Sequence, residues 1–250
     1  MPEKVFLRIK RQEKAEAPSR WEEFEVPYQP KMNVLTCLQE IQRNPVTRDG
    51  KKTAPVTWDS NCLEEVCGAC TMLINGKVRQ GCTALVDDST VSTNITLEPM
   101  SKFPVVRDLV VDRTRIFNDF KKAHAWIPID GTYSLGPGPR VEQEKQDHRY
   151  LLSRCMACGC CLEVCPQYGP QSAFVGAAIL NQVQLMNTHP TGNMNKDERL
   201  QAIMDDGGIT DCGNAQNCVH ACPKEIPLTT SIAELYRETT WHGLFGWLKR

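Results

Sequence analysis

The sequence has no run of about 20 apolar residues, so no segment is expected to cross a bilayer as a helix, and any tie to a membrane must go through a partner. It has no excess of charge of either sign: 29 Lys+Arg stand against 30 Asp+Glu, for a net charge of -1. That removes the electrostatic reason to bind nucleic acid. Met1 to Glu16 contains no apolar core of a signal peptide, so a reducing compartment is expected, where thiols serve as ligands rather than pair as disulfides. Glycine-rich nucleotide fingerprints, a Walker loop and a G-x-S-x-G elbow are all missing. This chain alone therefore offers no expected site for a flavin or an organic substrate, and no residue is assigned a catalytic role. His124, His148, His189, His220 and His242 share no ligand spacing, so haem ligation is sought elsewhere.

What the sequence does have is cysteine. Thirteen thiols in 250 residues fall below the density of a disulfide scaffold, and an odd number cannot pair off completely, which points to metal or redox chemistry. They cluster at 62–82, 155–165 and 212–222, with Cys37 apart, so the chemistry divides between two domains. The boundary is expected in Ser134-Leu-Gly-Pro-Gly-Pro-Arg140 and the charged run Val141 to Arg149, because Pro-Gly alternation supports neither helix nor strand. The working division is residues 1–110, a connecting helix and Pro/Gly linker over 111–140, and a helical domain over 141–250.

In the first part, Val5, Leu7 and Ile9 alternate with polar residues as in a half-buried strand, and Phe24 to Tyr28 could be its hairpin partner. Asn33 is a plausible N-cap for a helix with Val34, Leu35, Leu38 and Ile41 on one face, stopped at Asn44-Pro45. Thr71 to Ile74, Asn75-Gly76 and Lys77 to Arg79 form a hairpin signal, since both turn positions need positive φ. The fold class is α+β: a small mixed sheet grasping a helix, followed by an all-α part. Helices are expected over Val105–Ala125, Ser172–Met186 and Lys196–Met204, with a last one opened by the capping box Ser231-x-x-Glu234.

Cys62-x4-Cys67-x2-Cys70 with Cys82 following has the plant-type ferredoxin spacing for a [2Fe-2S] centre. Gly68 and Ala69 are small enough to let backbone N–H groups approach the sulfurs. Zinc is the bland alternative, but its sites usually use two short Cys-x2-4-Cys knuckles, and only one such pair is present. Cys155, Cys158, Cys161 and Cys165-Pro166 then form the C-x2-C-x2-C-x3-C-P run of two-cluster ferredoxins, in which the fourth cysteine ligates the other cluster. Cys212, Ala215, Cys218 and Cys222-Pro223 repeat the frame with one ligand missing. Crossing the fourth cysteines gives Cys155, Cys158, Cys161 and Cys222 around a [4Fe-4S] cluster, and Cys165, Cys212 and Cys218 around a three-thiolate site. Ala215 has no donor atom, so [3Fe-4S] is the natural product there; spacing leaves open a labile fourth iron held by water or substrate. Cys37, in the apolar helix pattern, and Cys160, off the motif's spacing, are left over.

Clusters in two adjoining domains suggest a wire for single electrons. The combination resembles the iron-sulfur subunit of succinate dehydrogenase and fumarate reductase over nearly the whole chain. The resemblance is carried by Asn61 to Cys70, the first Cys-Pro run and the Ala215-interrupted second, with Phe103 to Leu109 and Pro223 to Pro227 in support. Trp58-Asp59, Ile129 to Tyr133 and His189 to Gly192 look most like the Gram-positive, menaquinone-linked branch. The resemblance implies a β-grasp ferredoxin-like domain and a helical two-cluster ferredoxin domain. It implies a flavoprotein partner oxidising succinate on FAD, and a membrane anchor with two b haems that holds this subunit at the cytoplasmic face of the cell membrane. Electrons would pass from FAD through [2Fe-2S], [4Fe-4S] and [3Fe-4S] to quinone; fumarate reductase would use the same parts in reverse. Many members carry Trp-Trp after the first Cys-Pro and a His after the first cysteine of the second run, where this sequence has Gln167 to Pro170 and Gly213. No residue here is therefore assigned to quinone. The carboxy end, with Trp241, Phe245 and Trp247 before Lys249-Arg250, is suited equally to resting on a membrane or anchor and to packing on its own domain. Two competing readings remain: pairing with another dehydrogenase or heterodisulfide chemistry, against which Ala215 argues, and a zinc-stabilised adaptor without redox activity.

Overall fold

A computed structural model describes residues 3–86, 91–128 and 140–246. The chain divides into one unit over Met1–Arg113 and another over Thr114–Arg250. The Pro/Gly run 134–139 and the stretch 129–133 lie outside the described residues.

In the first unit, β1 (Lys4–Arg11) and β2 (Arg20–Pro27) pair antiparallel from Lys4 opposite Pro27 to Arg11 opposite Arg20. Val5, Leu7 and Ile9 of β1 face inward, as their alternation requires. Helix α1 (Val34–Arg43) follows Asn33, whose side-chain oxygen accepts the Thr36 N–H at 2.9 Å. Its buried stripe of Val34, Leu35, Cys37, Leu38 and Ile41 joins the sheet in one core. β3 (Thr71–Ile74) and β4 (Lys77–Gln80) are joined by Asn75 at φ 51° and Gly76 at φ 75°. A further strand, β5 (Asn94–Glu98), runs parallel to β1 and antiparallel to β3, completing the order β2-β1-β5-β3-β4. This mixed sheet around one helix is the β-grasp arrangement.

The expected helix over Val105–Ala125 is corrected. Val105–Arg107 (β6) and Val110–Val111 (β7) form a two-stranded hairpin, and only Thr114–Lys122 (α2) is helical. Four β-branched valines favour the extended backbone, and Asp108 at φ 47° reverses it. Asp108 is held there by Arg11, whose Nε and Nη2 donate to its two carboxylate oxygens at 3.0 and 3.2 Å.

The second unit is helical. The charged run beginning at Val141 shows no clear apolar stripe, yet Gln143–Ser153 forms α3. Two short helices, α4 (Cys160–Glu163) and α7 (Asn217–His220), occupy equivalent places in the two cysteine runs, with α5 (Ala177–Thr188) and α6 (Lys196–Met204) between them. The helix expected from Ser172 starts five residues later. Gly176 sits at φ +88°, where a Cβ would lie 2.2 Å from Leu162 Cδ2, and the Val175 N–H bonds instead to Gly207 O at 2.9 Å. The last helix, α8 (Leu228–Phe245), starts ahead of the expected capping box, after Pro227. Ser231 is interior and buried; its Oγ faces Asn181 Oδ1 at 3.5 Å, and Asn181 Nδ2 donates to Leu152 O at 3.0 Å. Packing, which the local pattern does not encode, recruited that serine as a polar link between α5 and α8.

Candidate metal centres

The loop from Cys62 to Cys70 is built to turn amides inward. Leu63 and Glu65 adopt φ 62° and 56°, and Gly68 φ 70°. Residues other than glycine rarely occupy this region, so two in one loop mark a backbone shaped for its contents. The result is that the N–H groups of Glu64 and Val66 donate to Cys62 Sγ at 3.4 and 3.3 Å, and that of Ala69 to Cys67 Sγ at 3.4 Å. Those donors bring the Cys62 thiol down to about 7, while burial and the neighbouring Cys70 push Cys82 up to about 12. Cys82 arrives from the β3–β4 hairpin, and Asn33 Nδ2 donates to its carbonyl at 2.9 Å, so the residue capping α1 also anchors the fourth thiol. Thr83 Oγ1 donates to Glu65 Oε1 at 2.7 Å and pins the loop's middle.

In the second unit two cavities receive the remaining thiols. Cys155, Cys158, Cys161 and Cys222 line one, with Ala178, Ile226 and Leu228 as apolar wall. Cys165, Cys212 and Cys218 line the other, with Ala215, Phe174 and Ile232. The two cysteine runs repeat in backbone as well as sequence. Ala157 and Gly159 have φ 50° and 88°, and their counterparts Asn214 and Gln216 have φ 51° and 61°. Ala215 thus sits on the same turn as Cys158, at the corner where the first copy has a sulfur. Asn217 Nδ2 donates to Val164 O at 3.2 Å and ties one copy to the other.

These donor sets fit iron-sulfur clusters. Burial first, then the neighbouring Cys158, Cys155 and Cys222, drives the Cys161 thiol well above its ordinary range. Burial also raises the Cys155 and Cys218 thiols. Thiols crowded in an apolar cavity resist ionising together unless cationic iron sits among them. Cys37, by contrast, is fully buried in the β-grasp core, where burial holds its thiol at about 12, and it behaves as a small apolar side chain. Cys160 is also fully buried and lies beside the first cavity.

Sequence reasoning passed over two arginines that grip backbone at these sites. Arg113 donates from Nη1 and Nη2 to the carbonyls of Gly68 and Ala69 at 2.6 and 2.8 Å. Arg115 donates to those of Gly169, Ser172 and Phe174 at 2.6, 2.7 and 3.1 Å and lies 4.2 Å over the Tyr168 ring, behind Cys165-Pro166. No local motif announces either; an arginine pair on a segment leaving a valine-rich hairpin was the available signal.

A ferredoxin-like loop joined to a paired cysteine repeat defines an iron-sulfur protein with separate two-iron and dicluster domains. Residues 6–118 match the family described as 2Fe-2S iron-sulfur cluster binding domain, and residues 151–226 match the 4Fe-4S dicluster domain. The chain is 61% identical over 241 residues to the succinate dehydrogenase iron-sulfur subunit of Bacillus subtilis (strain 168), covering 95% of this chain and 94% of that one. It is 30% identical over 220 residues to the fumarate reductase iron-sulfur subunit of Wolinella succinogenes, covering 87% and 89%. A chain in the structure titled "Mycobacterium smegmatis Sdh1 complex in the apo form" shares its fold, with TM-score 0.78, 22% identity and 96% of each chain covered. The chain belongs to the family of succinate dehydrogenase and fumarate reductase iron-sulfur subunits.

Proposed function

We propose that this chain is the iron-sulfur electron-transfer subunit of a membrane-bound succinate dehydrogenase, working between a flavoprotein subunit and a membrane anchor. The observation that carries this reading is 61% identity along 95% of the chain to a succinate dehydrogenase subunit, in a chain whose thiols fall into three groups. Succinate oxidation is preferred to fumarate reduction because the fumarate reductase relative stands at 30%. When bound, the clusters supply reversible one-electron transfer; the protein's own part is to hold sulfur, donate N–H groups to it and exclude water.

In this reading Cys62, Cys67, Cys70 and Cys82 hold [2Fe-2S], Cys155, Cys158, Cys161 and Cys222 hold [4Fe-4S], and Cys165, Cys212 and Cys218 hold [3Fe-4S]. The amino-terminal domain runs to about residue 110 and the dicluster domain from about 141, with the connecting segment between. Menaquinone as acceptor and two b haems in the anchor complete the proposal. Among the described residues no helix is long and apolar enough to cross a membrane, so attachment at the cytoplasmic face would go through that anchor. A Cβ at Gly213 would meet Gln167 Nε2 at 2.7 Å, so the position after Cys212, where many relatives carry His, has no room for a larger side chain unless Gln167 moves. That supports leaving quinone to the anchor.

The test is anaerobic purification of the native complex, with iron and acid-labile sulfide analysis, EPR and Mössbauer spectroscopy beside a succinate-dependent menaquinone reduction assay. Two-, four- and three-iron centres with succinate activity are expected. Zinc without sulfide would establish the adaptor instead, and clusters without flavin-linked succinate oxidation would overturn the substrate.

A further inference from the structure

We propose that Arg113 is a positioning residue for the two-iron site, aiming backbone amides at its sulfurs and thereby setting how readily that site accepts an electron. The inference rests on the proposed function above for the presence of the cluster, and on the following geometry for the arginine. A trans peptide unit is planar, so its C=O and N–H point in opposite directions. The carbonyl of Gly68 shares its plane with the N–H of Ala69, which is the donor to Cys67 Sγ at 3.4 Å. Holding Gly68 O from outside therefore fixes Ala69 N–H inside. Arg113 Nη1 holds that oxygen at 2.6 Å, and its Nη2 takes the next one, Ala69 O, at 2.8 Å, so the reverse side of that second plane presents the Cys70 amide.

The loop needs such a grip. Gly68 stands at φ 70° without a side chain to limit its peptide, and the other hydroxyl or guanidinium on its oxygen is Thr71 Oγ1 at 2.7 Å, itself braced by Gln80 Nε2 at 3.1 Å. Arg113 is delivered by a firm support. The β6–β7 hairpin is closed behind it by Asp112 N to Pro104 O at 2.8 Å and fastened to the strand of chain leading into the loop by Leu109 N to Thr57 O at 3.1 Å. A guanidinium fork spans two adjacent carbonyls where an ammonium serves as a single point. Both the aimed N–H groups and the fixed positive charge favour the more negative, reduced state of the site.

EPR-monitored redox titration of the holo complex carrying Arg113→Gln or Arg113→Lys tests this, with the four- and three-iron centres of the same molecule as internal references. Arg113→Gln is expected to disfavour reduction of the two-iron centre roughly tenfold, a midpoint lower by about 59 mV for one electron. Arg113→Lys, which keeps the charge but not the fork, is expected to fall part of the way, and amide exchange over residues 66–72 is expected to quicken in both. Loss of the two-iron signal alone would also support the role. Midpoints and exchange matching wild type, or equal shifts at all three centres, would overturn it. If Arg113→Gln yields no folded complex, Arg113→Lys decides by the same criteria. A wild-type complex with no two-iron signal would overturn the function beneath the proposal as well; a wild-type signal with unmoved variants would overturn the proposal alone.

Discussion

Arg11 and Asp108 form the most buried ion pair among the described residues of the β-grasp unit, and removing the arginine gives a sharp test of what holds the hairpin and the cluster loop in place. Arg11 and Asp108 are 2% and 1% exposed. Beyond the two bonds to Asp108, the guanidinium reaches Glu22 Oε2 at 2.5 Å and the carbonyls of Ala54 and Pro55 at 3.0 and 3.2 Å. Asp108 in turn accepts the N–H groups of Gln12 and Thr57 at 3.0 and 2.9 Å. Four segments, β1, β2, residues 54–57 and the β6–β7 turn, thus meet at one buried arginine and its carboxylate partners. Arg11→Ala would leave the Asp108 carboxylate buried without its counter-charge, at a cost of about 3–5 kcal/mol. For a unit of this size a urea slope of about 1.5 kcal/mol/M turns that into a midpoint lower by roughly 2–3 M. The double variant Arg11→Met/Asp108→Asn removes both charges, keeps a residue tolerant of positive φ at 108, and is expected to recover half of the loss or more. The assay is urea unfolding of the full chain followed by tryptophan fluorescence and visible absorbance, in which the dicluster unit's transition should not move. A loss under about 1 kcal/mol for Arg11→Ala, or a double variant no better than the single, would refute the account of a buried charge dependent on its partner.

Ala215→Cys should place a sulfur at the vacant corner of the second cysteine repeat and replace the three-iron EPR signal with a four-iron one; an unchanged three-iron signal would count against the register. Cys37, with its thiol pushed up to about 12 by burial, is protonated throughout the neutral and mildly alkaline range. Because deprotonation would become appreciable only near pH 12, native protein at pH 8 should resist iodoacetamide at this position, with labelling at Cys37, read by mass spectrometry, appearing on unfolding. Gly207 stands at φ +77°, where a Cβ would lie 2.1 Å from the Ala173 carbonyl oxygen. Gly207→Ala should cost about 2 kcal/mol or more through the left-handed backbone and the displaced carbonyl, lowering the thermal midpoint of the second unit and not of the first.

Much of this molecule was readable without coordinates because it depends on neighbours along the chain. Asn75-Gly76 dictates a tight hairpin by its own backbone preferences, Asn33 caps a helix by accepting an N–H only three residues along the chain, and the cysteine runs state which thiols a short loop can gather. The repeat with Ala215 in place of a fourth sulfur is likewise arithmetic on spacing. Tertiary structure decided whatever depends on distant partners. β5 acquires its place only by lying parallel to β1, and Val105–Val111 becomes a hairpin because Arg11, 97 residues away from Asp108, holds its turn. Ser231 reads locally as a cap and is instead a buried link to Asn181, since helix start and packing are set by different parts of the chain. Arg113 carries no motif at all; its relation to Gly68 spans 45 residues and exists only once the hairpin is folded against the loop. Backbone preference and ligand spacing are short-range and survive in a string of letters, whereas the pairing of a charge with a buried carbonyl is known only when the chain has closed upon itself.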